Sequence, residues 1–406
     1  MKGSRKMVYT SDVFVNLINQ YPVWQDLCQF LQSSQGGSIR VIEKDPAQPY
    51  VLLRYVKGQS DLNSAEKPWV RWMRSVLWNK NTNRPVCVAP PKAMNTEIPT
   101  SSDLSVEEFV EGVMVNGFVT DDPDMNWSTR SSFGATTGFY GTKSFAEMIQ
   151  EAEASRNWAR GDLAGALRHA NYSFGSFVLQ HPDHRVVQKI ETPMLYLIHL
   201  GHVDQDGRVT IADSPSDWHD SLRDWAVKTY PSLAEGETAA RRLDTMIRTT
   251  DATWQGLVFR GTSGNRWRLR SLSYRILRDL RGKESRIEDR FCRIRNQNMI
   301  RTYTQNWPEE QAKFLELEKR LRGLTSKIYT EYCAVHKEKS KVFLDVAIPL
   351  RTPIYQLHGI YLNNLRPKNL TLKMPVVIQY VNNLPVEAQS ALLRSSVEVD
   401  LTQGQV

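Results

Sequence analysis

Apolar and polar positions repeat with two different periods along this chain, and the change of period divides it. Residues 11–33 (SDVFVNLINQYPVWQDLCQFLQS) place apolar side chains at mixed three- and four-residue steps on either side of Pro22, which predicts two short helices. Alternation then takes over. SIRVIE, YVLLRYV, RSVLWN and RPVCVA read as strands, separated by turn residues such as Gly36, Gly37, Asn81 and Asn83. SVEEFVEGVMVNGF (105–118) is a strand-like apolar run broken by a glutamate and a glycine, and WSTRSS is a further short strand. KSFAEMIQEAEASRNWARG has helical spacing closed by Gly161. YSFGSFVLQ and PMLYLIHLGHV return to strand, the second joined to RVTIA by an Asp206-Gly207 turn of hairpin type. Residues 216–248 read as helical and charged, and WQGLVFR and NRWRLRS as strands across the turn GTSG. Beyond about residue 290 the period is helical: Phe314, Leu317, Leu321, Leu324 and Ile328 form one stripe in a helix over 308–330, with Pro308 in its first turn. From Phe343 to Pro385 prolines, asparagines and short apolar runs mix, before a short helix and a polar terminus. The pattern predicts an α+β fold, mixed and largely antiparallel, over residues 1–295, and a helical and irregular C-terminal appendage over 296–406.

Composition adds limits. At 406 residues with 41% apolar and 10% aromatic side chains, the chain can bury a sizeable core. It contains no apolar run of the roughly 18 residues a membrane span requires, and MKGSRKMVYTSD has no apolar core of secretory type; an intracellular, cytoplasmic protein is expected, away from the membrane. Cys28, Cys87, Cys292 and Cys333 lie far apart, as suits reduced thiols better than disulfides or zinc ligands. The net charge of +8 is concentrated: Arg260 to Arg295 holds 12 Lys/Arg against 4 Asp/Glu, and 12 − 4 = +8, so the rest is neutral. Interleaved with Trp267, Tyr274 and Phe291, this segment predicts contact with a phosphate-rich partner through Arg266, Arg275, Arg278, Arg281 and Lys283. The bland alternative is a solvated helix face on which Asp279, Glu284, Glu288 and Asp289 pair with their neighbours. Within NRWRLRS, alternation sets Trp267 and Leu269 toward a core and Arg266, Arg268 and Arg270 on the opposite face.

Several enzyme classes drop out, because the chain has no Walker phosphate loop, no GxGxxG, no GxSxG elbow and no HExxH. His181 and His184 in QHPDHRVV flank Pro182, which argues for a turn, and two histidines alone make no metal site. What remains is an ordered series: PWVRWMRSVLWN, RPVCVAPPKAMN, VEEFVEGVMVNGF, WSTRSS, YSFGSFVLQHPDHRVV, WQGLVFR and NRWRLRS. In order and spacing these pieces, over roughly residues 65–295, resemble the covalent nucleotidyltransferases, and within them phage-type RNA ligase and the related ligase-like proteins of large DNA viruses.

The resemblance implies a nucleotidyltransferase fold, ATP as cofactor with magnesium, RNA nicks, RNA ends or tRNA as partners, and a virus-encoded chain among the origins. It also implies where chemistry would sit. FVEG stands in the place of a Lys-x-Asp-Gly motif whose lysine is adenylylated, so Phe109 occupies the nucleophile's position and has no lone pair to attack with. Glu111 stands for the acid that binds a ribose hydroxyl, and Gly112 for the tight backbone. Arg74 and Lys92 stand for cations near the nucleotide phosphates, Arg130 for a basic nucleotide-site residue in the strand after the nucleophile motif, and Arg268 and Arg270 replace two lysines of the last motif. The two expected glutamates appear as Val178 and Gln255, which leaves few carboxylate oxygens for magnesium. A guanidinium in place of lysine stays protonated and gives up proton transfer. Three functions follow. The leading one is RNA binding, with ATP, by a catalytically degenerate ligase-like fold. The second is an ATP-dependent RNA ligase that uses a displaced lysine, with Lys92 as the catalytic candidate. The third is a structural or virion assembly protein on this fold, whose C-terminal region meets a protein partner.

Overall fold

The computed structural model describes residues 8–403 apart from 95, 102 and 263, with side chains as far as residue 395. The chain divides into two compact units at Arg278/Asp279, ahead of the division expected at residue 295.

The first unit is built on three antiparallel sheets. After β1 (Val8–Ser11), the four strands read from alternation form a meander: β2 (Ile39–Ile42), β3 (Tyr50–Tyr55), β4 (Val76–Asn79) and β5 (Arg84–Val88). Helices Val13–Gln20 and Trp24–Gln32 lay Phe14, Leu17, Leu27 and Leu31 on its buried face. They are two helices and not one because Tyr21, ahead of Pro22, is pushed to extended backbone (φ −130°, ψ 78°). The remaining strands are β6 (Ser105–Glu108), β7 (Val113–Phe118), β8 (Asn126–Thr129), β9 (Phe174–Gln180), β10 (Met194–Val203), β11 (Val209–Ala212), β12 (Thr229–Tyr230), β13 (Gly256–Arg260) and β14 (Arg266–Arg270). They make a six-stranded sheet in the order β1-β11-β10-β9-β7-β8 and a four-stranded sheet in the order β12-β6-β13-β14. The β10–β11 hairpin is the one expected across Asp206-Gly207. The β13–β14 hairpin has the expected place too, although Ser263 of its GTSG turn lies outside the described residues.

Three expectations are corrected. SVEEFVEGVMVNGF is not one strand: β6 and β7 belong to different sheets, and the chain crosses between them at Phe109–Gly112. The helix expected to run to Gly161 ends at Ala154; Gly161, at φ 91°, begins a second helix, Asp162–His169, because only glycine takes that left-handed conformation readily. Its first half is set by a capping box of Ser144 and Glu147, and Phe145, Met148, Ile149 and Ala152 pack into a second core. Within 216–248, α-helix occurs only at Asp220–Arg223 and Ala239–Ile247, with β12 between them and a 3₁₀ turn, Pro215–Asp217, ahead of them. Charge without a continuous apolar stripe did not make a long helix.

The second unit is helical. Gln311–Tyr332 carries the expected stripe inward, with Phe314, Leu317, Leu321 and Ile328 buried, and Tyr303 stacks on Phe314 at 4.8 Å between ring centres. The tail is more regular than its prolines predicted: Ile348–Ile360, Met374–Asn382 and Val386–Gln403 are helices. Pro349 and Pro375 sit in first turns, where a missing N–H costs nothing, so they start helices and do not break them.

Candidate functional site

β13 and β14 set Arg260 directly opposite Arg266. Like charges at a cross-strand pair repel, so each needs its own compensation. Arg260 has it. Its Nε donates to Glu107 Oε2 at 2.8 Å, and its Nη1 lies 3.2 Å from Asp213 Oδ1. Asp213 also takes His199 Nδ1 at 2.5 Å and the Tyr9 hydroxyl at 3.2 Å. Burial works to raise the Asp213 carboxyl, but His199 and Arg260 outweigh it and hold the group well below the usual carboxylate range. For Arg260 burial works downward, and Glu107 and Asp213 outweigh it, raising the pKa. Glu107 goes up, because burial prevails over its two arginine neighbours.

Arg266 has no bonded answer; Asp213 and Glu107 reach it only through space. It is 8% exposed, and its Nε and Nη1 are buried without a hydrogen bond. Burial, reinforced by Arg260 and Arg74, pulls its pKa down to about 9, which still leaves it charged at neutral pH. It faces a cavity of about 80 Å³ whose other open cations are Arg74, Lys92 and Arg268. Arg74 is half-buried, and its guanidinium makes a long bond, Nη1 to the Pro90 carbonyl at 3.4 Å. Burial, with Arg130 and Arg268 adding to it against Tyr55, lowers the Arg74 pKa to about 10. Two acids share the lining, and both are answered elsewhere: Glu107 by Arg260, and Glu108 by Lys228 and by the Tyr230 hydroxyl at 3.5 Å. Phe109, Met114, Val178 and Ile198 add apolar lining.

The cavity thus gathers Phe109, Arg74, Lys92, Val178 and Arg268, five positions that the resemblance had assigned to one site. Arg266 was expected on an exposed RNA-contacting face, and this is corrected: the face is right, but the start of β14 is covered, and the cavity takes Arg266 and Arg268 in place of Arg268 and Arg270. Arg270 lies over the Phe109 ring, 5.1 Å from its centre. Arg130 is exposed, 4.8 Å above the Tyr55 ring, and is not part of the lining. Glu111 is a larger correction. Its carboxylate accepts from the amides of Val187 at 3.0 Å and Gln188 at 3.0 Å and from the Tyr274 hydroxyl, so it is spent on the protein and not open to a ribose. Burial raises its pKa against those bonds. Gly112 is required where it stands: at φ 150°, a Cβ there would lie 2.4 Å from the Leu179 carbonyl oxygen of the paired strand β9.

The cationic segment 260–295 is also less open than its count implied. Arg260, Arg266, Arg281 and Arg290 are buried; Arg281 and Arg290 share Glu310 at 2.8 and 3.1 Å. Arg293 and Arg295 pair with Glu284 and Glu318. The expected RNA contact at Arg281 is therefore not met, while Arg268, Arg275 and Lys283 are exposed and Arg278 is half-buried. Sequence reading missed Glu107, His199, Asp213 and Arg260. Their signal was present as charge inside apolar strand runs, SVEE and GLVFR, where a buried ion needs a partner.

Magnesium does not fit this donor set: Glu107 is committed to Arg260, and the described residues contain no group of three metal-ligating side chains. The cavity alone is too small for a whole ATP, since nucleotide-sized clefts run to roughly 300–1,000 Å³, whereas a phosphate group suits both its volume and its charge. No described helix is long and apolar enough to cross a membrane. No family model matches the sequence, and no curated protein does. Among solved structures, two forms of an archaeal ATP-dependent RNA ligase are similar, at TM-scores of 0.44 and 0.42 and identities of 15% and 13%, each alignment covering 77% of this chain and 82% of that one.

Proposed function

We propose that this chain binds RNA by a phosphate group held in the Arg74–Lys92–Arg266–Arg268 cavity, as a ligase-like protein that has given up covalent chemistry at position 109. One observation carries the reading: a buried arginine, Arg266, with two unbonded N–H groups, lines a cavity together with Arg74, Lys92 and Arg268 and no free acid. Such a guanidinium is costly to bury alone and matches phosphate oxygens bidentately. Phe109 supports the loss of chemistry, because a phenyl ring forms the wall where the resemblance places the nucleophile. Lys92 lines the same cavity and supports one rival, adenylyl transfer to a displaced lysine.

The test is incubation with α-labelled ATP and magnesium or manganese, beside RNA binding across a salt series. No covalent label, together with RNA affinity that falls steeply with salt, is the expected result. A label that disappears in Lys92→Ala establishes the rival, and salt-independent RNA binding defeats the proposal.

A further inference from the structure

A second cleft, of about 600 Å³, opens beside the cavity and shares Lys92 and Ala93 with it. Its lining comes from two stretches of the chain, residues 62–65, Pro68 and Arg71 in one and residues 92–94 and Thr96 in the other, with Leu62, Pro68 and Met94 as apolar surface and Asn63, Arg71 and Thr96 as polar groups. Both stretches are fastened to the strand that carries Arg266. The Met94 amide donates to the Arg266 carbonyl at 2.7 Å, the Thr96 hydroxyl accepts from Trp267 Nε1 at 3.2 Å, and Arg71 Nη2 donates to Asn265 Oδ1 at 2.9 Å. Any shift of the cleft would therefore move the residues next to Arg266, so the two spaces keep a fixed spacing.

We infer that this cleft seats a nucleoside of an RNA strand, the one adjoining the phosphate held by Arg74, Arg266 and Arg268. The inference rests on the proposed RNA binding. The cavity has room for a phosphate group only, while the cleft lies within the roughly 300–1,000 Å³ range of small-molecule sites and so accepts a base and its sugar. Lys92, on the border of both, is placed to meet the backbone between them. The chemistry of the walls agrees: apolar surface and a guanidinium plane for the faces of an unstacked base, and side-chain amide and hydroxyl groups for its edge. A phosphate site alone would need no such apolar cleft.

The experiment uses the full chain, a labelled single-stranded RNA of about ten nucleotides, AMP and inorganic phosphate, with RNA and AMP read by anisotropy and competition, and phosphate by thermal shift. Ala65→Trp, an exposed position on the cleft, is the blocking variant, and Arg71→Ala is the second, should the tryptophan disturb folding. Ala65→Trp is expected to weaken RNA at least about tenfold, or roughly 1.4 kcal/mol, with the thermal shift from inorganic phosphate unchanged. RNA binding at wild-type strength in both variants overturns the inference, and leaves the phosphate cavity standing if Arg266→Met still abolishes binding. AMP that binds as tightly as the RNA and is lost equally in Ala65→Trp overturns the strand assignment. A protein with neither RNA affinity nor a phosphate shift overturns the proposed function itself.

Discussion

Arg260 and Arg266 stand across from one another in one hairpin, both buried, and have opposite circumstances. Arg260 is closed in by Glu107 and Asp213, and through Asp213 by His199 and Tyr9. Arg266 has no ion pair, keeps two unbonded nitrogens, and lines a cavity with Arg74, Lys92 and Arg268. A buried charge held in ion pairs joins elements together, although Arg260 too keeps an unbonded Nη1, and one without an ion pair leaves room for a ligand to answer it. The network is thus a structural use of the arginine side chain, and the cavity its proposed functional use.

The comparison breaks most visibly in stability. Arg260→Met strands the buried Glu107 and takes one partner from Asp213, and removing one partner of a buried pair costs about 3–5 kcal/mol; chemical denaturation of the variant should show that loss. Arg266→Met removes a charge that has no bonded partner, and its midpoint should stay within about 1 kcal/mol of wild type. Equal losses would mean that the two arginines share one structural role. Next in size is ligand protection. Inorganic phosphate at 100 times its dissociation constant should stabilise the protein by about 2.7 kcal/mol, while Arg266→Met should show no shift in melting temperature. If the variant is protected as well as wild type, phosphate binds elsewhere.

How much of this was legible follows from the range of the interactions. The four strands of the meander and the hairpin across Asp206-Gly207 depend on local alternation and turn chemistry, and they were read correctly. The face of Arg266, Arg268 and Arg270 was legible for the same reason. Its cover was not, because the cavity is closed by Arg74, Lys92 and Val178, which come from distant parts of the chain. Phe109, Lys92 and Arg268 were brought together by the ordered resemblance and not by spacing alone. Glu111 misled, since an acid beside a glycine looks the same whether it faces a ribose or the amides of Val187 and Gln188. The C-terminal prolines misled in the other direction, because a proline that starts a helix and one that breaks it are the same residue.

A smaller effect sharpens the cavity. Arg268 is its exposed cation, so Arg268→Ala should weaken single-stranded RNA about tenfold and lower the slope of log affinity against log salt by about 0.7. A loss of affinity with the slope unchanged would assign Arg268 to the base and not to the phosphate.

The smallest effect tests the network from its edge. Tyr9 donates a single hydrogen bond to Asp213, and Tyr9→Phe should cost about 0.5–1.5 kcal/mol with RNA affinity unchanged. The acid limb of the stability profile gives the sign. Asp213 is held below the ordinary carboxylate range, so its contribution is present above about pH 4, the ordinary aspartate value, and drains away as pH falls toward its depressed native value. Asp213→Asn cannot titrate, and its loss of stability between pH 4 and pH 2 should be shallower than that of wild type. A wild-type slope in Asp213→Asn would place the acid-sensitive group elsewhere, and the network around Arg260 would then be a geometric cluster without the energetic coupling that sets it apart from Arg266.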